Sequence, residues 1–197
     1  MPSKQLNLFG VEAAVPRPAD LAGLLAGPGQ VVRMGGTARV SVVVGELWRA
    51  RALHAELAER GIGATLVATV DEHIAVRSAY TTVLAPLGAA WLRSAVKLAP
   101  PGFGLDGRRL RLWVLAAGRA DPLGYTLRLA PPVGGPADDP AWVPVGVALA
   151  ALGLPASLLG TRAGGPAYRI AGRRRIARLA ELVGDRPPGV PEEDWPS

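Results

Sequence analysis

Arginines that alternate with apolar residues are the side chains best suited to chemistry in this chain of 197 residues. Four predicted strands carry one such residue each: Arg39, Arg77, Arg128 and Arg169. Because successive side chains of a strand point to opposite faces, the alternation predicts a basic outer face over an apolar inner one. An outer sheet face normally carries some charge, but acidic residues are almost absent from these strands. The pattern therefore favours contacts with the phosphates of a nucleic acid.

The charge of the whole chain agrees with such a surface but has a second explanation. The net charge is +6, and Lys4 and Lys97 are the only lysines. A GC-rich genome favours Arg, Ala, Gly and Pro codons and would give a similar composition without any function. Arg33 and the cluster Arg173, Arg174 and Arg175, at a predicted helix start, are further candidate DNA contacts, since a helix N-terminus favours phosphate. The cluster fits a solvated helix end equally well.

Several classes of protein are excluded by composition. The chain has no cysteine, so disulfides and thiolate metal sites are excluded. The two histidines, His54 and His73, lack the spacing of metal ligands. No apolar run is long enough for a membrane span, and the first residues lack a signal-peptide core. We therefore expect no cofactor, no metal, no membrane contact and a cytoplasmic, nucleoid-associated protein.

The elements that would position these arginines follow the same order twice. The first half, predicted as residues 20–98, reads as helix, two strands, helix, two strands and helix, with Gly35-Gly36 as a hairpin turn. The second half, residues 108–184, repeats this order, but Pro, Gly and Asp dominate 130–140, so its second strand is expected to be short or lost. Residues 99–107 read as a connector, 1–19 as a flexible N-terminal tail and 185–197 as a Pro-rich acidic tail. An internal repeat of this kind largely decides the fold class.

The first helix and its hairpin resemble a known family. Leu21-Ala22-Gly23-Leu24-Leu25-Ala26-Gly27-Pro28-Gly29 resembles the nine-residue signature of LAGLIDADG homing endonucleases. The resemblance implies an α+β fold of two tandem αββαββα repeats that form a pseudo-twofold saddle on duplex DNA. It also implies that small residues line the contact of the two signature helices: Ala22, Gly23 and Ala26 in the first, and Ala116, Ala117 and Gly118 in the second.

The chain departs from the family pattern at the acidic residues. In that family one acid at the end of each signature helix holds divalent metal at the scissile phosphates. Pro28 occupies the first position, and either Asp121 or Arg119 occupies the second. We therefore expect a non-cleaving protein with no catalytic residue and no enzyme activity. The alternative is a metal-dependent endonuclease built on Asp121 with a second acid such as Asp20 or Asp106.

The N-terminal segment resembles a second, unrelated motif. Gln5-Leu6-Asn7-Leu8-Phe9 is similar to the peptide by which bacterial replication and repair proteins bind the sliding clamp, the DNA polymerase III beta subunit. The resemblance assigns clamp contact to Gln5, Leu6, Leu8 and Phe9. The adjacent Leu8 and Phe9 would supply an apolar anchor. The other interpretation is a tail that packs back on its own domain.

These observations together predict a non-catalytic protein that binds double-stranded DNA and docks on the sliding clamp in replication or repair. We expect a monomer with internal pseudosymmetry. A transcriptional regulator with the same fold, in which the N-terminal peptide is incidental, is a further alternative.

Overall fold

The computed structural model describes residues 15–130 and 140–197, and these form two repeats. The first repeat begins with a 3-10 turn at Pro18–Leu21 that leads into a short helix. Its elements are α1 Ala22–Ala26, β1 Gln30–Met34, β2 Thr37–Val44, α2 Leu47–Glu59, β3 Ala64–Ala68, β4 Ile74–Ser78 and α3 Ala85–Trp91. The predicted order of helices and strands is confirmed for this half. The clamp-like residues Gln5, Leu6, Leu8 and Phe9 lie outside the described residues.

A small hairpin, β5 Leu92–Arg93 with β6 Val96–Lys97, leads into the second repeat. The second repeat has the same order as the first. Its elements are α4 Gly107–Ala117, β7 Gly118–Asp121, β8 Gly124–Arg128, α5 Val143–Ala151, β9 Ser157–Leu159, β10 Ala167–Ile170 and α6 Arg173–Val183. The fold class, α+β with two tandem αββαββα repeats, is confirmed.

Each repeat contains one antiparallel sheet of four strands. The first, sheet 1, has the strand order β1-β2-β4-β3, and the second, sheet 2, has the equivalent order β7-β8-β10-β9. In both sheets one face is buried against the helices: Val40, Val42 and Val44 in sheet 1, and Tyr125, Leu127 and Ile170 in sheet 2. The apolar residues of each alternating pattern thus form the core, and the residues between them form the outer face.

Helices α1 and α4 pack closely against each other at the centre of the fold. Two glycines make the contact possible: Gly23 within α1 and Gly27 directly after its last residue. A Cβ atom at Gly23 would lie 1.9 Å from the carbonyl oxygen of Arg109. A Cβ atom at Gly27 would lie 2.4 Å from the indole ring of Trp113. Because the contact advances by four residues on both helices, α1 and α4 run parallel. Their C-terminal ends therefore lie at the same end of the pair, where each leads into its own sheet.

The small residues predicted for the second signature helix do not make that closest contact. The α4 backbone approaches Gly23 of α1 at Arg109, near the start of the helix. A Cβ atom at Gly118 would instead lie 2.5 Å from the hydroxyl of Tyr125. The missing side chain at 118 makes room for the core tyrosine of sheet 2, so Gly23 packs against the partner helix as predicted and Gly118 does not.

The hairpin of the second repeat was placed wrongly by the sequence. The sequence predicts that 118–121 belong to the signature helix and its end, and that the second strand falls within 130–140. The structure pairs β7 with β8 directly, with Asp121 opposite Gly124 at the turn. The hairpin is therefore complete before residue 129, and no strand has to be lost.

The C-terminal segment packs on the second repeat and does not extend away from it as the predicted tail would. Val190 and Trp195 are buried. The indole of Trp195 donates to the carbonyl oxygen of Gly184, and the hydroxyl of Tyr125 donates to that of Asp194. Burial also raises the pKa of Tyr125, so this hydroxyl keeps its proton and remains a donor.

A chain of buried ion pairs joins α2 of the first repeat to α4 of the second. Arg60 pairs with Asp20 at 3.1 Å and with Glu56 at 2.7 Å. The other carboxylate oxygen of Glu56 accepts from Arg111 of α4. Arg111 also donates to the carbonyl oxygen of Val183, so α2, α4 and α6 share one network.

None of the described helices is long and apolar enough to cross a membrane.

Candidate nucleic-acid interface

The outer face of sheet 1 carries two of the predicted arginines. Arg39 and Arg77 lie on neighbouring strands on the face opposite the core. Arg77 stands between Ser41 and Thr65 in one row across three strands. The guanidinium of Arg39 stacks 4.7 Å from the ring centre of Tyr80, and its buried Nε makes no hydrogen bond. Stacking fixes the direction of this side chain.

The outer face of sheet 2 carries the other two arginines, and they differ in whether a carboxylate pairs with them. Arg128 is exposed and lies beside Ala167 of β10. Arg169 lies beside Thr126, and its Nε is 3.0 Å from the carboxylate of Asp121. Strand β7, which the sequence did not predict, thus places one acid on the outer face of this sheet, whereas the four strands that carry the predicted arginines contain none. Arg169 reaches a phosphate only in competition with Asp121.

Three of the outer-face arginines have no acidic partner. Among residues 15–130 and 140–197, no carboxylate lies within 4.0 Å of the guanidinium of Arg39, Arg77 or Arg128. Charged groups that hold no ion pair are free to neutralise the phosphates of a bound nucleic acid. Because the three lie on two different sheets, a ligand that used all of them would have to span both repeats.

The remaining predicted DNA contacts lie elsewhere. Arg33 pairs with the buried Ala38, so it is on the helix side of sheet 1, and its methylene groups pack against Gly88 of α3. Arg173, Arg174 and Arg175 are exposed at the first turn of α6, beyond the end of β10. Neither set shares the outer face with Arg39, Arg77 and Arg128. Their contact with DNA stays a prediction.

Arg119 is a basic residue of this face that the sequence reasoning missed. It pairs with Thr126 of β8, so it points to the outer face, and its side chain is 65% exposed. Its Nη2 lies 3.1 Å from Glu46. The residue was assigned to the end of the signature helix, although the alternation of Arg119 and Asp121 around Ala120 was a signal for a strand.

Protein cations occupy the C-terminal ends of both central helices. The Lys97 ammonium donates to the carbonyl oxygens of Gly27 and Gly29, at 2.8 and 2.7 Å. Arg49 donates to the carbonyl oxygens of Val114, Leu115 and Gly118 at the end of α4. A cation is favoured at a helix C-terminus because the last carbonyl groups carry partial negative charge. Lys97 and Arg49 therefore satisfy the exposed carbonyl groups at this end of the pair.

The charge of Lys97 makes stability depend on pH. Burial lowers the pKa of Lys97 from 10.5 to about 7. Between these two values the unfolded chain binds a proton that the folded chain does not, so stability rises with pH across that window. Relative to Lys97→Met, the free energy of unfolding of the natural chain is expected to rise by up to about 1.4 kcal/mol for each pH unit. Urea unfolding at several pH values measures this difference, and parallel pH curves for the two proteins would contradict it.

The acids at these helix ends do not match a metal pair. Pro28 lies two residues beyond the end of α1, and Arg119 lies two residues beyond the end of α4. Arg119 thus follows α4 at the distance at which Pro28 follows α1, whereas Asp121 closes the β7–β8 hairpin as Met34 closes the β1–β2 hairpin. Asp20 is paired with Arg60, and Asp106 accepts from the backbone N–H of Arg109 at the start of α4. In the part of the chain that the structure describes, no group of three or more His, Cys, Asp or Glu side chains could hold a metal ion. Glu46 and Asp194 do contact Arg49 at the end of α4, at 3.0 and 3.8 Å, so both are held in ion pairs. A pair of free carboxylates at the two helix ends, which the resemblance implies, is therefore not seen among the described residues.

Comparison with known proteins finds solved structures of similar fold but no match in sequence. No family model matches the chain, and no curated protein matches it. The homing endonuclease I-WcaI bound to its DNA recognition sequence superposes with a TM-score of 0.62 at 11% identity, over 86% of this chain and 81% of that one. I-DmoI in complex with DNA and Mn aligns over 85% of this chain and 96% of that one, at 15% identity and a TM-score of 0.46.

The comparison corrects the expectation about catalysis. We expected the chain not to be an enzyme, but the structure whose fold it shares is that of a homing endonuclease, which points to an enzyme. The identity of 11% carries over the fold alone. The two repeats, the parallel central helices and the two four-stranded sheets together have the fold of the LAGLIDADG homing endonucleases.

Proposed function

We propose that this chain binds duplex DNA across the outer faces of both sheets. The observation that carries the proposal is a set of three outer-face arginines that have no acidic partner within residues 15–130 and 140–197: Arg39, Arg77 and Arg128. The parallel packing of α1 and α4 supports it, since both sheets begin at the same end of that pair. A neighbour of the same fold, I-WcaI, is bound to its DNA recognition sequence, which adds support.

The contacts of these arginines would be mainly with phosphates. Such contacts hold the protein in register on the duplex, and each one releases condensed counterions. We therefore expect affinity for duplex DNA that falls steeply with salt. Fluorescence anisotropy of a labelled duplex at increasing salt measures it, and a salt-independent affinity or no binding at low salt would remove the proposal.

Binding is expected to need no divalent metal, because Lys97 and Arg49 already occupy the helix ends. The same titration run in EDTA and in magnesium, at matched ionic strength, measures the metal dependence. Equal affinities are the expected result. A complex that forms only with magnesium would show that carboxylates of this chain hold a metal at the DNA.

The N-terminal peptide would bring this DNA-binding body to the sliding clamp. Phe9 precedes the first described residue, Val15, by six positions, a reach of roughly 20 Å for extended chain. A clamp encircles duplex DNA, so a body tethered at that distance would meet DNA at high effective concentration. The proposal therefore includes docking through Gln5, Leu6, Leu8 and Phe9 and a role in replication or repair at the nucleoid.

Clamp docking is expected to depend on the Leu-Phe anchor. The variant Leu8→Ala/Phe9→Ala removes the two largest apolar side chains of the peptide, and truncation of such an anchor typically costs at least about 2 kcal/mol of binding free energy. A pulldown on immobilised clamp is therefore expected to retain the natural chain and lose the variant. A control change, Val15→Ala, lies outside the motif and should be retained. Equal retention of the natural chain and the anchor variant would contradict the docking proposal.

Cleavage of the bound DNA is a second candidate, which the fold of I-WcaI favours. The carboxylate that lies on the outer face of sheet 2 is Asp121, at the turn of the β7–β8 hairpin. Incubation with supercoiled plasmid and magnesium or manganese tests this candidate. Nicking that is lost in Asp121→Asn would support it, whereas nicking that is the same in natural chain and variant would identify a contaminant.

A further inference from the structure

The outer face of sheet 1 carries apolar side chains as well as arginines. Val32, Met34, Val43 and Val67 are exposed there, and Val43 is 54% exposed. Solvent contact of this kind is unfavourable by roughly 25 cal/mol for each Å² of apolar surface. Exposed apolar groups beside unpaired cations indicate a ligand that offers both apolar and anionic groups.

Register places two of these side chains in one row. Val43 of β2 and Val67 of β3 are both direct neighbours of Ala75 on β4. The three residues, here called the valine row, therefore lie side by side across three strands. The next row along the same face is Ser41, Arg77 and Thr65, two residues and thus about 7 Å away. An apolar strip is thereby set beside an arginine that forms no ion pair with any described residue.

The two sheets differ at this point. On sheet 2 the row that contains Arg169 has Thr126 and Ser157 as its neighbours, and the row that contains Arg128 has Ala167 and the partly buried Leu159. Neither row has two exposed valines. Any apolar contact with a ligand would therefore come mainly from sheet 1. The part of a bound duplex under sheet 1 would then meet apolar side chains that the part under sheet 2 does not.

The chemistry of the duplex supplies a matching group. In the major groove a thymine presents its C5-methyl group, and apolar side chains contact that methyl directly. The groove admits a two-stranded β-ribbon, and sheet proteins read bases there. Phosphates flank the groove on both sides, which fits Arg77 beside the valine row. A protein partner would need carboxylates to meet Arg39 and Arg77 as well as an apolar patch, whereas duplex DNA carries phosphates throughout and a methyl group at each thymine.

We propose that Val43 and Val67, which flank the buried Ala75 in the valine row, contact thymine methyl groups in the major groove, so that the part of the duplex under sheet 1 is selected for thymine. This inference rests on the proposed binding of duplex DNA to the outer faces. It names residues that would discriminate between bases, whereas Arg39, Arg77 and Arg128 would hold the backbone.

The test compares two hairpin duplexes of the same alternating sequence, one with dA and dT, the other with dA and dU. Uracil pairs as thymine does and lacks only the C5-methyl group. The natural chain is expected to bind the thymine duplex at least about fourfold more tightly, which is the effect of burying one group of CH₂ size. The slope of affinity against salt should be the same for both duplexes, because the phosphate contacts are unchanged.

The variant Val43→Thr/Val67→Thr replaces one methyl of each exposed valine by a hydroxyl and keeps the β-branched shape. It is expected to show a smaller preference for the thymine duplex than the natural chain, because each threonine keeps only one methyl group that can contact thymine. Val147→Thr, at an exposed position of α5, is the matched control and should keep the preference for thymine. Circular dichroism of all three proteins checks that they fold alike.

Each other result has a defined meaning. Equal affinity of the natural chain for both duplexes would overturn the thymine inference and leave DNA binding intact. Failure to bind either duplex would remove the proposed function itself. A dimer of the free protein that dissociates in Val43→Thr/Val67→Thr would show that the valine row covers a second copy of the chain, and it would also overturn the inference.

Discussion

Replacement of Arg39, Arg77 and Arg128 together by serine is expected to weaken duplex binding by about two to three orders of magnitude at about 0.1 M salt. Each lost phosphate contact lowers the slope of log affinity against log salt by about 0.9, so the slope should fall by about 3. The three side chains lie on the outer faces and pair with no carboxylate of the described residues, so the fold loses no ion pair with them. Anisotropy titrations over a range of salt measure both quantities.

The matched control removes the same charge from other surfaces. Arg51 on α2, Arg93 on the small hairpin and Arg178 on α6 are not on the outer face of either four-stranded sheet. Their triple replacement by serine lowers the net charge equally, and only a small, long-range loss of affinity is expected. Equal losses in the two triple variants would mean that net charge, and not the sheet faces, binds the DNA.

Gly23→Ala is expected to destabilise the fold by more than about 2 kcal/mol. Alanine in place of glycine normally stabilises a helix by about 1 kcal/mol. Here the added Cβ would lie 1.9 Å from a carbonyl oxygen and 2.5 Å from the carbonyl carbon of Arg109, which are backbone atoms and cannot rotate away. The two central helices would have to separate, and the sheets that follow them would move as well. Urea unfolding measures the loss of stability.

Gly63→Ala is the control for that experiment. No heavy atom lies within 4 Å of a Cβ at Gly63, so this change is expected to alter stability by less than about 1 kcal/mol. If Gly23→Ala were as stable as Gly63→Ala, the close packing of α1 on α4 would be wrong. A Gly23→Ala protein that folds but binds DNA weakly would show that the helix pair sets the spacing of the two sheets.

The sequence was sufficient for much of the fold because its signals are local. The alternation around Arg39, Arg77 and Arg128 depends only on the period of a strand, and all three lie on outer faces as predicted. Gly23 was singled out as a close-packing residue, and it is one. These features need no knowledge of distant contacts.

The features that the sequence did not reveal depend on tertiary contacts. Strand β7 has the sequence Gly-Arg-Ala-Asp, and three of these four residues are depleted in strands, so the alternation of Arg119 and Asp121 was a weak signal and the pairing with β8 decides the structure. Lys97 lies 68 and 70 residues from the carbonyl groups that it binds, so no local pattern could place it. For the C-terminal segment a signal did exist, since a tryptophan at 195 is unusual in a free acidic tail, and Trp195 is buried.

Photo-crosslinking tests most directly the central claim that duplex DNA lies across the outer faces of both sheets. Benzoylphenylalanine is placed at Thr65 on sheet 1, at Thr126 on sheet 2 and, as a control, at the exposed Ala55 on α2, and each protein is irradiated with labelled duplex. Crosslinks from Thr65 and Thr126, with none from Ala55, are the predicted result. Crosslinks from Ala55 with none from either sheet face would contradict the account.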